Sequence, residues 1–260
     1  MTLKTSLSII ALGSLVAVPA AAQDSGAYVS LSGGLSFMTN SAHNGELTSE
    51  FVTGEGTTIP GGVALPAGTS VGWDTGYDNG FALSGAFGYK YDNGFRSEIE
   101  LAWSKNDVDT HTAITVGGGG IGTQDAGLLI TGSENLGVLT RDLIAAGEGK
   151  SKNFAFMGNV YYDLDLDSTI TPYVGAGIGY VSNKIVYAPS GVGIANDSDG
   201  SFAWQLIAGA DFKISETMSI FADYKYRVAD RSSINLDLIP ANLKVENKTS
   251  TVSLGVKFGF

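Results

Sequence analysis

Hydrophobic and polar residues alternate strictly over the last ten positions of the chain. One parity is apolar: Val252, Leu254, Val256, Phe258 and Phe260. The other is small or polar: Thr251, Ser253, Gly255, Lys257 and Gly259. Successive side chains of a strand point to opposite faces of a sheet, so a period of two predicts a β-strand with one apolar face.

The same alternation returns seven times upstream. It predicts strands over residues 27–37, 81–91, 95–104, 153–164, 171–181, 202–212 and 218–227. Between the second and third of these, Asp92, Asn93 and Gly94 predict a tight turn, because Asn and Gly tolerate positive φ. The chain is therefore predicted to be all-β, with eight strands.

Short and long connections alternate between the predicted strands. The short turns are residues 92–94, 165–170 and 213–217, and the long loops are residues 38–79, 105–152, 182–200 and 228–246. A soluble β-sandwich gives no reason for this regularity, whereas a membrane barrel has short turns on one side of the bilayer and long loops on the other. We predict an eight-stranded antiparallel up-and-down transmembrane β-barrel with long extracellular loops. A ten-stranded barrel, made by pairing residues 110–116 with 128–131, is the alternative.

The start of the chain predicts a signal peptide over residues 1–22, which leaves 23–260 as a single barrel domain. Lys4 is the only charge before an apolar stretch, and Ala20, Ala21 and Ala22 offer a small-residue cleavage site. The apolar stretch is shorter than the roughly 18 residues that a membrane-spanning helix needs, which argues against an anchor. We therefore expect an exported protein.

The face opposite the apolar one carries ten ionisable residues, five of each sign. They are Lys90, Arg96, Glu98, Glu100, Asp163, Asp211, Asp223, Lys225, Arg227 and Lys257. An eight-stranded barrel is only wide enough for side chains to fill it, and an unpaired buried charge is costly. We expect these residues to form a lumen charge network that plugs the barrel. The alternative is a narrow channel for small solutes, opened when the charges exchange partners.

Composition and charge exclude several classes of function. A net charge of −11 argues against nucleic-acid binding, and the absence of cysteine excludes disulfides and thiolate chemistry. The long loops hold 16 acidic and 7 basic residues, which suits divalent cations or basic partner surfaces. Residues 196–200 resemble part of a calcium loop but lack its distal Glu. We predict no cofactor and no metal site.

Two weaker features lie in the predicted loops. His43 and His111 are the only histidines, and Asp107, Asp109 and His111 share one parity beyond the third strand, where they could hold a general base at the rim. A polar extension of the strand accounts for them equally well, and we predict that the protein is not an enzyme. Residues 135–147 predict a short helix that packs on the rim or contacts lipopolysaccharide or another cell.

The eight alternating segments, the glycine-rich strand over residues 171–180 and the terminal Val256-Lys257-Phe258-Gly259-Phe260 resemble the OmpA-like eight-stranded outer-membrane proteins. The opacity-type and Msp surface-antigen branch of Gram-negative bacteria is the most similar. The resemblance covers essentially the whole predicted mature chain, and its motifs are structural. Unlike full-length OmpA, the protein is expected to lack a peptidoglycan-binding domain after the last strand.

The resemblance implies a monomer in the cell outer membrane, in contact with outer-membrane lipid and lipopolysaccharide, whose loops act as antigens, adhesins or receptors for a host or extracellular ligand. It implies no catalytic residues. It also implies that the barrel-assembly machinery reads the alternating terminal residues as a signal: Leu254, Val256, Phe258 and Phe260.

Overall fold

The computed structural model describes residues 25–54, 60–127, 136–145, 147–166 and 168–260, so the predicted signal peptide lies outside the described residues. The strands are β1 (Gly26–Met38), β2 (Ser41–Leu47), β3 (Phe51–Val52), β4 (Ala64–Leu65), β5 (Ser70–Tyr77), β6 (Gly80–Lys90), β7 (Phe95–Val116), β8 (Gly119–Gly120), β9 (Gly149–Asp163), β10 (Ile170–Tyr187), β11 (Ala195–Lys213), β12 (Met218–Asn235) and β13 (Ala241–Gly259). A short helix α1 (Thr140–Ile144) and a 3₁₀ turn (Pro189–Gly191) complete the set. No helix in the described part of the chain is long and apolar enough to cross a membrane.

Eight antiparallel strands close a ring. From β6 the pairing runs through β7, β9, β10, β11 and β12 to β13, and β13 returns to β1, with Leu31 opposite Val256. β1 and β6 then close the circle. A closed ring leaves no unpaired strand edge, as lipid requires of a spanning sheet. The predicted eight-stranded antiparallel barrel is confirmed.

A band of exposed apolar side chains surrounds the ring; we call it the belt. Its members include Leu31, Leu83, Ile99, Phe156, Ile178, Leu206 and Leu254. Leu254 is 68% exposed, which is unfavourable in water and favourable in hydrocarbon. Aromatic residues mark the two ends of the belt, as at membrane interfaces. Trp103, Phe154, Tyr180 and Phe202 lie at the end near the long connections, and Tyr89, Phe95, Tyr162 and Phe260 lie near the short turns.

Above the belt, toward the long connections, the barrel continues; we call this part the upper barrel. β2 and β5 replace β1 and β6 there, because β2 pairs with both β13 and β5, and β5 pairs with β7. The ring therefore keeps eight strands. The prediction of long loops was wrong wherever strands extend into the predicted loop ranges, which are residues 38–79, 105–152, 182–200 and 228–246. The ten-stranded alternative was also wrong for residues 110–116, which pair with β5 and β8, while 128–131 lie outside the described residues.

The reason for these long strands is a change of parity in the apolar residues. Within the belt, β10 points Val174 and Ile178 outward. Above the belt, Val181, Ile185 and Tyr187 are buried on the inward face of the same strand. Lipid favours apolar side chains outside the barrel, whereas water favours them inside. The alternation therefore reverses where the surroundings change from lipid to water. Strand ends predicted from the lipid-facing parity alone consequently fall too early.

The upper barrel has an apolar core, unlike the polar interior of the belt. Its buried residues include Val71, Ile114, Ile185, Ile234, Leu243 and Val245. Ile121 and Ile144 cover this core from the loop above. Ile144 belongs to α1, which is the central part of the helix predicted over residues 135–147 and packs on the rim. The extracellular end is therefore a folded cap on a hydrophobic core.

Candidate functional site: the barrel interior and its surfaces

All ten predicted lumen charges lie on inward positions. Nine of them meet in two clusters, whereas Glu98 accepts hydrogen bonds from neutral side chains. The first cluster is at the periplasmic end, near the short turns. Arg96 donates from Nε to Asp163 Oδ1 over 2.8 Å, and its Nη1 lies 3.6 Å from Asp211. Lys257 Nζ is 2.7 Å from the same Asp211 carboxylate. Lys90 lies 3.7 Å from Asp163 at the barrel end, where its side chain is 44% exposed.

The second cluster lies halfway up the belt around Glu100, which is fully enclosed. Lys225 Nζ donates to Glu100 Oε1 over 2.6 Å, and Gln205 Nε2 donates to Oε2 over 2.9 Å. Arg227 Nη2 is 4.0 Å from Glu100 and its Nε donates to Gln205. Asp223 lies 3.7 Å from the Lys225 ammonium. Two acids and two bases thus share one buried network, in which direct contacts offset part of the desolvation cost.

Neutral side chains connect the two clusters, and the charge count alone misses them. Glu98 accepts hydrogen bonds from the hydroxyls of Tyr28 (3.0 Å) and Tyr161 (2.8 Å) instead of pairing with a cation. The Arg96 guanidinium lies 4.8 Å from the Tyr161 ring centre and 4.6 Å from that of Tyr173, a cation–π arrangement. These tyrosines share the inward parity of the charged residues, so the alternation could have identified them.

The free space inside the belt is uneven. A polar cavity of about 230 Å³ opens at the periplasmic end, beside Arg96 and Lys257. Beside Glu100 and Lys225 the space shrinks to about 20 Å³. Met157 lies at the level of Glu100, and above it the interior holds buried small residues such as Ala155 together with buried polar side chains such as Asn153 and Asn247. The cavity at the periplasmic end is therefore comparable in size to a small solute, whereas the space beside Glu100 is not.

Both histidines lie inside the upper barrel, so their prediction as loop residues was wrong. His111 Nδ1 is 2.9 Å from the Thr75 hydroxyl, and His43 Nε2 is 3.2 Å from the Tyr187 hydroxyl. Tyr77 contacts the same Tyr187 hydroxyl over 2.9 Å. The histidines are thus part of a buried hydrogen-bonded layer beneath the apolar core.

The proposed rim set of Asp107, Asp109 and His111 does not share a face. Pairing between β5 and β7 shifts by one residue where Tyr77 lies opposite Val108 and Gly76 opposite Thr110. The extra residue, Asp109, reverses the parity beyond it. His111 consequently turns inward and is 3% exposed, whereas the Asp107 side chain points out and is 58% exposed.

Acid is expected to destabilise this histidine layer. Burial lowers the pKa of His111 to about 4; burial, and secondarily the nearby His111, lower the pKa of His43 to about 4 against the opposing charge of Glu246. Both side chains are neutral in the folded barrel at pH 7, while an unfolded histidine takes up its proton near pH 6.5. Stability is therefore retained above pH 6.5 and lost as pH falls from 6.5 to 4, by on the order of 3 kcal/mol per histidine. Urea unfolding of the refolded protein across this range measures the loss.

A matched variant separates this effect from carboxylate protonation. His43→Gln with His111→Gln removes both titrating rings, so its stability should change far less between pH 6.5 and 4.5 than that of the parent protein. An equal pH slope in the parent and the double variant would disprove the histidine origin.

The remaining predicted motifs have structural places. Leu254, Val256 and Phe258 point outward on β13, and the ring of Phe260 lies 6.5 Å from that of Phe87. Their recognition by the barrel-assembly machinery stays a prediction. In the segment that resembles a calcium loop, Asp197 and Asp199 accept backbone hydrogen bonds from Asn235 and Ser233. Among the described residues, no group of three or more His, Asp or Glu is placed to hold a metal.

Comparison with known proteins agrees with this architecture. An outer membrane protein of Gluconacetobacter diazotrophicus is 25% identical over 245 residues, covering 89% of this chain and 54% of that protein. The outer membrane protein PagN of Salmonella typhimurium is 33% identical over 109 residues, covering 36% of this chain and 45% of PagN. This chain thus spans about half the length of the curated relatives it matches.

A solved structure shows the same fold at low sequence identity. The outer membrane protein OprG of Pseudomonas aeruginosa superposes with a TM-score of 0.52 at 14% identity, covering 90% of this chain and 97% of OprG. Residues 8–258 match the family model of the outer membrane protein beta-barrel domain. Together with the closed ring and its lipid-facing belt, this match establishes that the chain belongs to the outer membrane protein beta-barrel family and resides in the outer membrane of Gram-negative bacteria.

Proposed function

We propose that this protein is a non-conducting barrel that stabilises the outer membrane and presents its upper barrel to extracellular partners. The observation that carries this proposal is the buried ionic network that occupies the interior at the level of Glu100, where the pocket beside Glu100 and Lys225 measures about 20 Å³. Potassium or chloride with part of its water shell needs more room than this. The upper barrel adds a second barrier, because its apolar core is unfavourable for ions.

Opening a conducting path through the lumen by exchange of ion-pair partners is unfavourable. Glu100 is held simultaneously by Lys225 and Gln205. Removing one partner of such a buried pair leaves an uncompensated charge, which costs about 3–5 kcal/mol. The neighbouring Asp223 offers Lys225 a second acidic contact at 3.7 Å, but Arg227, which lies 4.0 Å from Glu100, could replace Lys225 only by changing its hydrogen bond to Gln205. The closed arrangement is therefore strongly favoured over a gated pore.

Support for a surface role comes from the upper barrel. Its strands carry polar side chains outward over an apolar core, so the loops rest on a rigid platform. Asp125 shows how the loops are organised, since its carboxylate accepts backbone hydrogen bonds from Gly127, Leu136 and Gly137. The acidic balance of the long connections favours basic partner surfaces.

Bilayer recording of refolded protein tests the closed lumen. We expect no stepwise conductance in either polarity, and steps of defined size would instead support the narrow-channel alternative. A known porin refolded in the same way is the positive control. The surface role has a separate readout on cells that display the chain. They should retain polylysine-coated beads better than polyglutamate-coated beads, and equal retention would contradict it.

A further inference from the structure

Lysines form a row on the outer wall, immediately above the belt. Lys105 of β7 lies directly opposite Lys152 of β9, and Lys152 lies directly opposite Lys184 of β10. Neighbouring strands are about 4.8 Å apart, so the three Cα atoms span about 10 Å. Like charges placed directly opposite each other on a sheet repel. The arrangement therefore favours binding of a compensating anion.

The protein itself supplies only part of the compensating negative charge. Lys105 contacts Asp107 over 2.9 Å. Within the described part of the chain, Lys152 and Lys184 form no ion pair, and both are exposed. Lys150, directly opposite Asp107, adds a fourth ammonium one step higher on β9. Three neighbouring strands thus concentrate positive charge on one side of a protein whose net charge is −11.

The height of the row identifies the kind of anion. Two positions below Lys105 and Lys152 on the same outward faces are Trp103 and Phe154, which mark the upper end of the belt. Two residues of a strand rise about 6.6 Å, so the ammonium groups sit at the level of lipid headgroups. Lysine stems can lie along the apolar wall while their charged ends reach the interface.

We propose that Lys105, Lys152 and Lys184 bind the phosphate groups of outer-leaflet lipid, as presented by the phosphorylated glycolipid lipid A. The row supplies three flexible point charges to one or two phosphates, and Asp107 competes with them for Lys105. This site fixes one side of the barrel against a lipid neighbour. Of the conclusions drawn above, this proposal uses only the outer-membrane location. It does not depend on whether the lumen conducts.

Binding to nanodiscs of defined composition tests the site. Nanodiscs carrying bisphosphorylated lipid A are compared with nanodiscs carrying dephosphorylated lipid A. The full chain should retain the phosphorylated lipid at least about tenfold better at low salt, with the preference shrinking toward 1 M salt. The triple variant Lys105→Gln, Lys152→Gln and Lys184→Gln should lose most of this preference.

Two matched variants make the test specific. Lys244→Gln with Lys248→Gln removes outward lysines of β13, away from the row, and should change the preference less than about twofold. Asp107→Asn removes the competing carboxylate and should strengthen lipid retention, an increase that a purely structural role of the row does not produce. Each variant is first checked for folding by its heat-dependent mobility, and Lys152→Gln alone replaces the triple variant if that fails to fold.

Three outcomes would overturn the proposal. One is equal retention of phosphorylated and dephosphorylated lipid A. Another is equal loss in the triple variant and the β13 control. The third is displacement of the lipid by about 10 mM inorganic phosphate, which would assign the row to a free anion.

Discussion

Glu100→Ala is expected to lower the free energy of unfolding by about 3–5 kcal/mol, because it leaves the Lys225 ammonium and the Arg227 guanidinium buried without their shared acid. Lys225 Nζ lies 2.6 Å from Glu100 in the folded barrel, and both side chains are almost fully enclosed. Reversible urea unfolding in detergent micelles, followed by tryptophan fluorescence, gives the change. The folded band on unboiled gels should also convert at lower temperature.

Two further variants serve as controls for Glu100→Ala. Glu100→Gln combined with Lys225→Met removes both charges of the pair and should recover much of the loss, since a buried ion pair can be replaced by neutral residues at little cost. Lys248→Ala breaks an exposed pair with Glu246 and should cost no more than about 1 kcal/mol. A loss in Glu100→Ala as small as that in Lys248→Ala would show that the central cluster is not a buried network.

Gly179→Ala is expected to prevent normal closure of β9 against β10, with a loss of about 3 kcal/mol or more. A Cβ atom at Gly179 would overlap the carbonyl oxygen of Phe156 and would lie 2.8 Å from both the Cα and the Sδ of Met157. Backbone atoms cannot move aside without separating two paired strands. The heat-dependent mobility shift and the yield of refolded protein measure the effect.

Gly158→Ala is the matched control, because Gly158 lies opposite Ile178 in the same pair of strands. A Cβ there would point outward and meet only the Ile178 carbonyl oxygen, at 3.9 Å. We expect a stability change of less than about 1 kcal/mol for this variant. Similar behaviour of the two alanine variants would mean that close approach of the strands at Gly179 is not required.

The belt could be predicted from sequence because each of its strands has one constant environment on each face. Residues such as Val252 and Leu254 meet only lipid, and Ser253 meets only the lumen, so the alternation is unbroken. The upper barrel has the opposite arrangement, with Leu243 and Val245 inside on the same β13. The sequence does contain a pattern that indicates the upper barrel, namely a second alternation of reversed parity. A prediction that assumes one constant apolar face along each strand misses it.

The charged residues of the lumen could also be predicted, but their partners could not. Inward parity selects Glu100 and Lys225 without stating that they meet, since they are 125 positions apart and their contact depends on the tilt and stagger of the strands. His111 was misplaced for a different reason. One unpaired residue, Asp109, reverses the parity of β7, and the bulged segment of β7 itself contains no glycine or proline that would mark it.

The reversal of parity described for β10 and β13 also determines how deeply the barrel sits in the membrane. If the barrel sank by two residues, about 6.6 Å along the strands, the lysine row would occupy the level of Trp103, and each lysine would cost up to about 1 kcal/mol near the interface and more at greater depth. If it rose by the same distance, the lowest apolar residues of the belt would enter water. Vertical position and local bilayer thickness are thus set by the protein to within about one residue pair, and neighbouring lipids must adjust to the barrel.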